Sequence, residues 1–437
     1  MTTQTIPVDP SFVRTVSSLN AEPEWMTSLR LTALEMAERL ELPKLEKTRI
    51  DRWDLDSVGQ YRKPSTLTEA QNLPEQANLL LQTGENGKQL NALFLHRNSG
   101  ASFSRLPDEL AAQGVIFTDL ATAVREHADL VRPYFMQAVK AEENRLTALH
   151  AATWSGGAFV YIPKNVVVEK PLQALFITDD EEALVSPHVL IVAEANSSVT
   201  YVENYLSVGG NVKQVHNGMV EIFAKDGARV QFASVHDLRE DITDISYRRA
   251  VLHSDAKIEW VIGELNNGNT ASETYSLLEG KGSESDAKVI CVGTGKQNMN
   301  ITTRARHIGM NTNSDMLTRA VMRDESTAII NGITKIEKGA TFANGQQTEK
   351  VLMLSPQARG DANPMLLIDE NEVKAYHAAS IGKVDQDMIY YLMSRGISRE
   401  QATRLIIYGF LAPIVEQIPI AKLEEQLKHL VERKLGQ

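Results

Sequence analysis

The chain has almost no cysteine: Cys291 is the single thiol in 437 residues. One thiol cannot close an intramolecular disulfide, nor build a cysteine-rich zinc or iron–sulfur cage. Any metal chemistry therefore draws ligands from outside this chain. Positive charge is also short, with 45 Lys and Arg against 56 Asp and Glu and a formal net charge of −11. That balance argues against a surface dominated by phosphate contacts, so no nucleic acid is expected as a partner. No uninterrupted apolar run approaches the roughly 18 residues of a membrane span. The opening MTTQTIPVDPSFVRTV lacks the basic and apolar regions of a signal peptide. A soluble, cytoplasmic protein with no membrane partner is the expectation.

The common catalytic signatures are missing as well. Gly293-Thr-Gly-Lys296 imitates part of a P-loop but lacks the leading glycine and the closing Ser or Thr, and reads as a strand-to-turn connection. Neither H-E-x-x-H nor G-x-S-x-G occurs. The chain reads as a non-enzyme with no catalytic residue, and any nucleotide hydrolysis belongs to another protein.

What remains is a folded composition, 43% hydrophobic and 23% charged, in a chain long enough for two or three domains. Residues 1–148 mix helical and strand patterns: EPEWMTSLRLTALEMAERLEL has helical spacing limited by Pro43, and NALFLHR is strand-like. FTDLATAVREHADLVRPYF then resumes the helical period. From about residue 149 to 384, short Val, Ile, Thr and aromatic runs alternate with Gly, Asn, Asp and Ser. Five of these runs align on Val199, Val230, Ile258, Val289 and Met316, recurring about every 30 residues. A second series, starting at Met219, Arg249, Thr274 and Arg304, lies between them. No helix-length pattern fits inside the unit, so a β-helix or flattened β-solenoid is favoured over an antiparallel sandwich.

Residues 385–437 turn helical. Asp385 caps QDMIYYLMSR, which Gly396 ends, and Ser398 with Gln401 forms a capping box for the next helix. The tail places Leu423, Leu427, Leu430, Val431 and Leu435 on one stripe. These helices should either pack on the solenoid end or present an apolar face to a partner.

Among the ten histidines, His216, His236, His253 and His307 read as polar-face or core-edge residues, and His429 as solvated. Cys291 takes the slot held by Tyr201, Phe232 and Trp260 in the other repeats, and reads as a small buried hydrophobe. His377 differs, because Ala375, Ala378, Ala379 and Ser380 around it leave the imidazole accessible. A neutral imidazole is a competent metal ligand and proton carrier near pH 7. Most histidines have no such role, so a structural histidine stays open on the residues alone.

The stretch from Asn363 to Phe410, NPMLLIDENEVKAYHAASIGKVDQDMIYYLMSRGISREQATRLIIYGF, resembles the C-terminal signature of the SufB/SufD family of the SUF iron–sulfur cluster assembly system. EENRLTALHAATWSGGAFVYIPKNVVVEKPLQALF is similar to the family's entrance to its β-helix. EPEWMTSLRLTALEMAERLELPKLEKTRIDRW is similar to the N-terminus of the SufD branch and not of the SufB branch. The likeness spans essentially the whole chain.

It implies a right-handed parallel β-helix between an N-terminal α/β domain and a C-terminal helical domain. It also implies a non-catalytic scaffold subunit in a complex with a SufB-like paralogue and a SufC-like ABC ATPase. The ATPase would dock on the C-terminal helices, for which Tyr391, Arg395, Ile406, Phe410 and Leu411 are the candidates. The paralogue would pair through the β-helix, with His377 at the cluster-assembly interface as a metal ligand shared between the two subunits. The chain alone would hold no cofactor. The resemblance further allows a nascent cluster at the interface, a flavin in the complex and a homodimer of the isolated chain. One departure is Ala375, where some members carry a cysteine; a thiolate at the interface would then come from the paralogue. The competing readings are a SufB-like cluster scaffold, which should carry a cysteine near the end of its β-helix, and a β-helix polysaccharide lyase or hydrolase.

Overall fold

The computed structural model describes residues 8–63, 73–75, 77, 92–416, 428–429 and 431–434. Its strands are β1 Leu93–Arg97, β2 Gly100–Arg105, β3 Ile116–Asp119, β4 Ala158–Ile162, β5 Leu172–Thr178, β6 His188–Ala193, β7 Ser198–Ser207, β8 Gln214–Ala224, β9 Arg229–Asp237 and β10 Ile242–Leu252. They continue as β11 Lys257–Glu264, β12 Thr270–Leu278, β13 Glu284–Gly293, β14 Asn298–His307, β15 Asn313–Met322, β16 Thr327–Ile336, β17 Asn344–Met353, β18 Arg359–Ile368 and β19 Lys374–Lys383. From β4 onward the chain alternates between two facing sheets. One runs β19-β17-β15-β13-β11-β9-β7-β5-β1-β2 and the other β18-β16-β14-β12-β10-β8-β6-β4-β3. Within each sheet the strands from β4 on are parallel, which makes a β-solenoid of about eight turns.

Alternation along each strand sends every second side chain into the lumen. One column of registered residues runs Tyr201, Phe232, Trp260, Ala287, Met316, Gln347 and His377. Its aromatic members pack ring on ring, Tyr201 to Phe232 at 5.6 Å and Phe232 to Trp260 at 5.2 Å between centroids. The even-to-odd turns from β4 to β15 each use a left-handed residue. Asn165, Asn196, Gly227, Asp255, Gly282 and Asn311 supply it in successive turns, with φ between +55° and +69° except for Gly282 at +72°. Asn and Asp adopt this region at low cost, and Gly at none.

The repeat register departs from the expectation after its third unit. Val199, Val230 and Ile258 do pair in line. Ile258 then pairs with Ser285, whereas Val289 pairs with Ile262 and Thr318. A slip by an even number of residues keeps every side chain on its own face, so apolar alternation cannot detect it. The turn decides instead: Gly282 stacks against Asp255, while the look-alike Ser285-Asp-Ala-Lys288 lies inside β13. The slot after Tyr201, Phe232 and Trp260 consequently belongs to Ala287, and Cys291 sits between Glu264 and Ala320. Cys291 is fully buried, as its hydrophobic reading required.

The two ends of the solenoid differ. At the first, β2 and β3 pair antiparallel with β1 and β4 and terminate the two sheets. The stretch from Phe117 to Phe135, expected to be helical throughout, begins in β3 and continues as short helices at Leu120–Glu126 and Ala128–Val131. Asp119 makes the change by accepting the Thr122 N–H as an N-cap. Helices Glu24–Arg39 and Arg145–Thr153 pack on the outer face of the even-numbered sheet over one apolar cluster that joins Met26, Leu34, Leu149 and Trp154 to Val192, Met219 and Ile245.

A buried carboxylate holds the cover down. Glu221 of β8 accepts the backbone N–H groups of Met136 (2.6 Å), Ala138 (2.6 Å) and Val139 (2.9 Å), and His188 donates to it at 3.1 Å.

At the other end the capping rules hold. Asp385 caps the Gln386–Ser394 helix, Ser398 and Gln401 form the capping box of Arg399–Val415, and Gly396 has φ +88°. Ile407, Leu411, Ile414 and Val431 cover Val202, Val235, Val261 and Val292 on the outer face of the odd-numbered sheet. Leu423, Leu427, Leu430 and Leu435 of the expected tail stripe lie outside the described residues. Among the described residues no helix is long and apolar enough to cross a membrane.

Replacing Glu221 by Ala should cost about 3–5 kcal/mol of stability, because three buried N–H groups and an imidazole lose their acceptor together. Denaturant melting of the purified chain measures it; a loss under about 1 kcal/mol would remove Glu221 as the anchor of the N-terminal cover.

Candidate functional site

The unusual surface lies at the open end. The last strand, β19, pairs only with β17, and β18 only with β16, so both leave an unpaired ladder edge. Every residue of β19 except Ala375 is exposed, on both faces. Around it stand apolar groups that solvent does not favour: Tyr376 is 58% exposed, Ile381 46%, Leu367 49% and Phe342 61%. A long edge with exposed apolar side chains is a ready template for another strand.

His377 stands on this edge. It registers with Gln347, a buried lumen residue, so its side chain continues the lumen column out to the surface. Gln347 is oriented from below, accepting the Thr334 hydroxyl at 2.9 Å. Among the described residues no hydrogen bond holds the His377 ring. The alanines at 375, 378 and 379 leave it unwalled, as expected, and β17 beneath it is rigidly paired on both sides.

The C-terminal candidates divide by burial. Tyr391 is 56% exposed, and the Arg395 guanidinium lies over its ring at 5.2 Å from the centroid. Met388, Tyr390 and Met393 of the same short helix are exposed beside them. Ile406 is half-buried in the packing between the two helices. Phe410 is also half-buried, with Arg319 over its ring and donating to its carbonyl. Leu411 is fully buried against the solenoid, so its side chain holds the helix in place and is not available to a partner. The accessible surface is the Gln386–Ser394 helix and Arg395.

Cys291 offers no reactive sulfur. Burial pushes its thiol up to about 12, far from the thiolate that binds metal or attacks sulfur. His216, His236 and His307 are buried in the lumen and not at its edge.

An internal ionic network escaped the sequence reading. Asp244 accepts from His216 Nδ1 at 2.7 Å, His236 Nδ1 at 2.9 Å, Ser246 at 2.8 Å and Asn266 at 2.6 Å. Arg248 donates to His236 Nε2 at 2.8 Å, to Glu264 at 2.9 Å and to Ser272 at 2.8 Å. Burial alone would raise Asp244, but His236 and His216 hold it well below the carboxylate range. His216, His236 and Asp244 are the one grouping of metal-ligand types among the described residues, with ligand atoms within 4.8 Å. Both imidazoles spend their Nδ1 protons on Asp244, and the guanidinium on His236 repels a cation. The cluster is therefore read as an ion network, in which only His216 Nε2 and one oxygen of Glu264 are left without a partner. Its sequence signal was faint: charged residues inside ITDISYRRAVL, a run otherwise patterned as a buried strand.

Residues 176–410 match the family described as SUF system FeS cluster assembly, SufBD core domain, and residues 87–174 match the SufBD protein N-terminal region. The chain is 45% identical over 431 residues to the iron–sulfur cluster assembly protein SufD of Bacillus subtilis, covering 98% of each chain. It is 28% identical over 436 residues to an iron–sulfur cluster assembly SufBD family protein of Staphylococcus epidermidis, covering 98% of this chain and 93% of that one. The core match begins in β5 and ends inside the last helix, so it takes in the solenoid, its open edge and His377. The chain belongs to the SufBD family of SUF-system iron–sulfur cluster assembly proteins.

Proposed function

We propose that this chain is a non-catalytic subunit of a cytoplasmic iron–sulfur cluster assembly complex. It pairs through its open solenoid end with a SufB-like paralogue, and it docks a SufC-like ATPase on its C-terminal helix pair. The observation that carries this reading is β19, an edge strand exposed on both faces with His377 at its lumen side. Edge-to-edge pairing would satisfy the open backbone groups and cover Tyr376, Ile381 and Leu367. His377 would then present a nitrogen ligand to the nascent cluster at the joint. Sulfur ligands must come from the paralogue, because the chain's only thiol is buried and protonated. Ferrous iron accepts such a mixed set of imidazole and thiolate donors.

The Gln386–Ser394 helix supports the docking part. Tyrosine, methionine and arginine exposed together are the residue types enriched in the cores of interfaces. A cation–π pair between Arg395 and Tyr391 preorganises two of them.

Three outcomes follow. In the ternary complex purified without oxygen, His377→Ala should keep fold, pairing and docking while bound iron and sulfide fall about tenfold or more. Equal cluster content in both complexes would return His377 to a structural role. Tyr391→Ala combined with Arg395→Ala should weaken ATPase binding by on the order of 2 kcal/mol, leaving thermal melting unchanged, and titration calorimetry measures it. Unchanged affinity would move the docking surface elsewhere. Cys291→Ser should cost about 1–2 kcal/mol, since a buried hydroxyl needs a partner, yet leave cluster formation intact. A stable variant complex without cluster would contradict a packing role for this thiol.

A further inference from the structure

One turn below the open edge lies a carboxylate that packing does not explain. Glu349 of β17 points into the lumen and is only 2% exposed. Its Oε1 occupies the place of a side chain on Gly332 of β16, where an added Cβ would lie 1.8 Å away. Its Oε2 is buried and has no hydrogen-bond partner. The covering residues are small: Ala379 of β19 registers with Glu349, and Pro364 of β18 with Gly332. In the turn beneath, Thr303 of β14 registers with Gly332, and its Oγ1 is likewise buried without a partner. Buried oxygens without any partner are uncommon in folded proteins, and the missing partner is ordinarily water.

The surrounding charges do not compensate Glu349. Asp315 and Arg319 of β15, Lys335 of β16, Arg359 and Asp361 of β18, and Lys350 of β17 all fall on outward positions of their strands. Lys374 of β19 is outward too; Lys383 is on the lumen side but at the strand's far end. That leaves two lumen imidazoles: His307 of β14, held by the Thr312 and Ser314 hydroxyls, and His377, in the column beside Glu349 and one strand further out. Burial pushes the Glu349 carboxyl up to about 7. A base that works near neutral pH needs such a value, which an exposed glutamate does not have.

We propose that Glu349 is the proton acceptor of the assembly site, receiving through lumen water the proton that hydrosulfide loses as it bonds to ferrous iron at the open edge. In this step the Fe–S bond forms and the S–H bond breaks. Iron stays ferrous, sulfur stays sulfide, and the proton ends on Glu349 Oε2. His377, engaged as a ligand, is not free to take it. The inference rests on the assembly role proposed above and adds to it the group that disposes of the proton.

The test uses the complex with both partners, loaded without oxygen with ferrous iron, and follows the initial rate of cluster formation from pH 6 to 9 with total sulfide adjusted at each pH to keep hydrosulfide constant, because hydrogen sulfide itself ionises in this range. The wild-type rate should rise with a midpoint near 7. Glu349→Gln keeps the shape but cannot accept a proton; at pH 7.5 it should slow formation about tenfold or more and lose that midpoint. His377→Ala should lower cluster content while the midpoint persists in the residual rate. A Glu349→Gln complex with the wild-type rate and profile overturns the proposal, and if His377→Ala still loses cluster, the assembly reading survives it. Failure of the wild-type complex to pair or form cluster would instead defeat both. Infrared titration of the isolated chain is independent of the partners: the protonated-carboxyl absorbance lost as pH rises through 7 should be smaller in Glu349→Gln by one carboxyl, the remainder belonging to Glu203. Equal losses in the two chains equally overturn the proposal.

Discussion

Each turn of a parallel solenoid is completed by its neighbours. The backbone groups of one strand find partners on the strand before and the strand after it, so an interior turn is satisfied and a terminal turn is not. Everything specific about this molecule answers that constraint. At the first end, antiparallel β2 and β3 terminate the two sheets, helices pack over the outer face of the even-numbered sheet, and the Glu221 carboxylate fastens the segment after Phe135 to β8 by three backbone bonds. At the last end no comparable closure exists among the described residues. The helices that follow β19 turn aside onto the outer face of one sheet and leave the edge open. The two ends thus differ in exposure: β2 is partly buried, whereas β19 is exposed along nearly its whole length and is the edge suited to a partner.

The lumen shows the same gradient. Two facing sheets enclose a narrow interior, and a charge placed there must be matched within a turn or two. In the middle turns it is: Asp244, His216, His236, Arg248 and Glu264 are linked by hydrogen bonds. Glu203 has one hydroxyl partner, Ser234, and burial pushes its carboxyl up to about 7. Toward the open edge the matching stops, and large lumen side chains give way to Gly332, Gln347, Ala379 and finally an exposed imidazole. Unpartnered buried oxygens occur along the whole lumen, at Glu203 and Glu264 as well as at Glu349, and what sets Glu349 apart is its place one turn from the exposed edge.

Much of this was legible in the residues. The repeat near 30 residues announced a solenoid, because it reflects how much chain one turn of two strands consumes. The caps at Asp385, Ser398 and Gly396 were readable since capping depends on groups only a few residues apart. His377 stood out because its small neighbours are adjacent in the chain. Cys291 was correctly seen as buried but assigned to the wrong column, since Ser285-Asp-Ala-Lys288 imitates the turn at Ser254 while lying inside a strand.

Other features are invisible at that range. An even slip in register preserves the faces, so which residues stack depends on turn geometry between strands about 30 residues apart. The Asp244 network joins strands β8, β9, β10 and the turn at Asn266, and no local pattern encodes their meeting. Nor could the residues around Leu411 reveal that it faces the sheet while Tyr391 faces solvent, because that depends on how the helix pair leans on the solenoid. Periodicity, capping and alternation are properties of neighbours along the chain, and the amino-acid order carries them directly. Register, charge pairing and the openness of the last turn arise from contacts between distant segments, and they exist only once the eight turns have stacked.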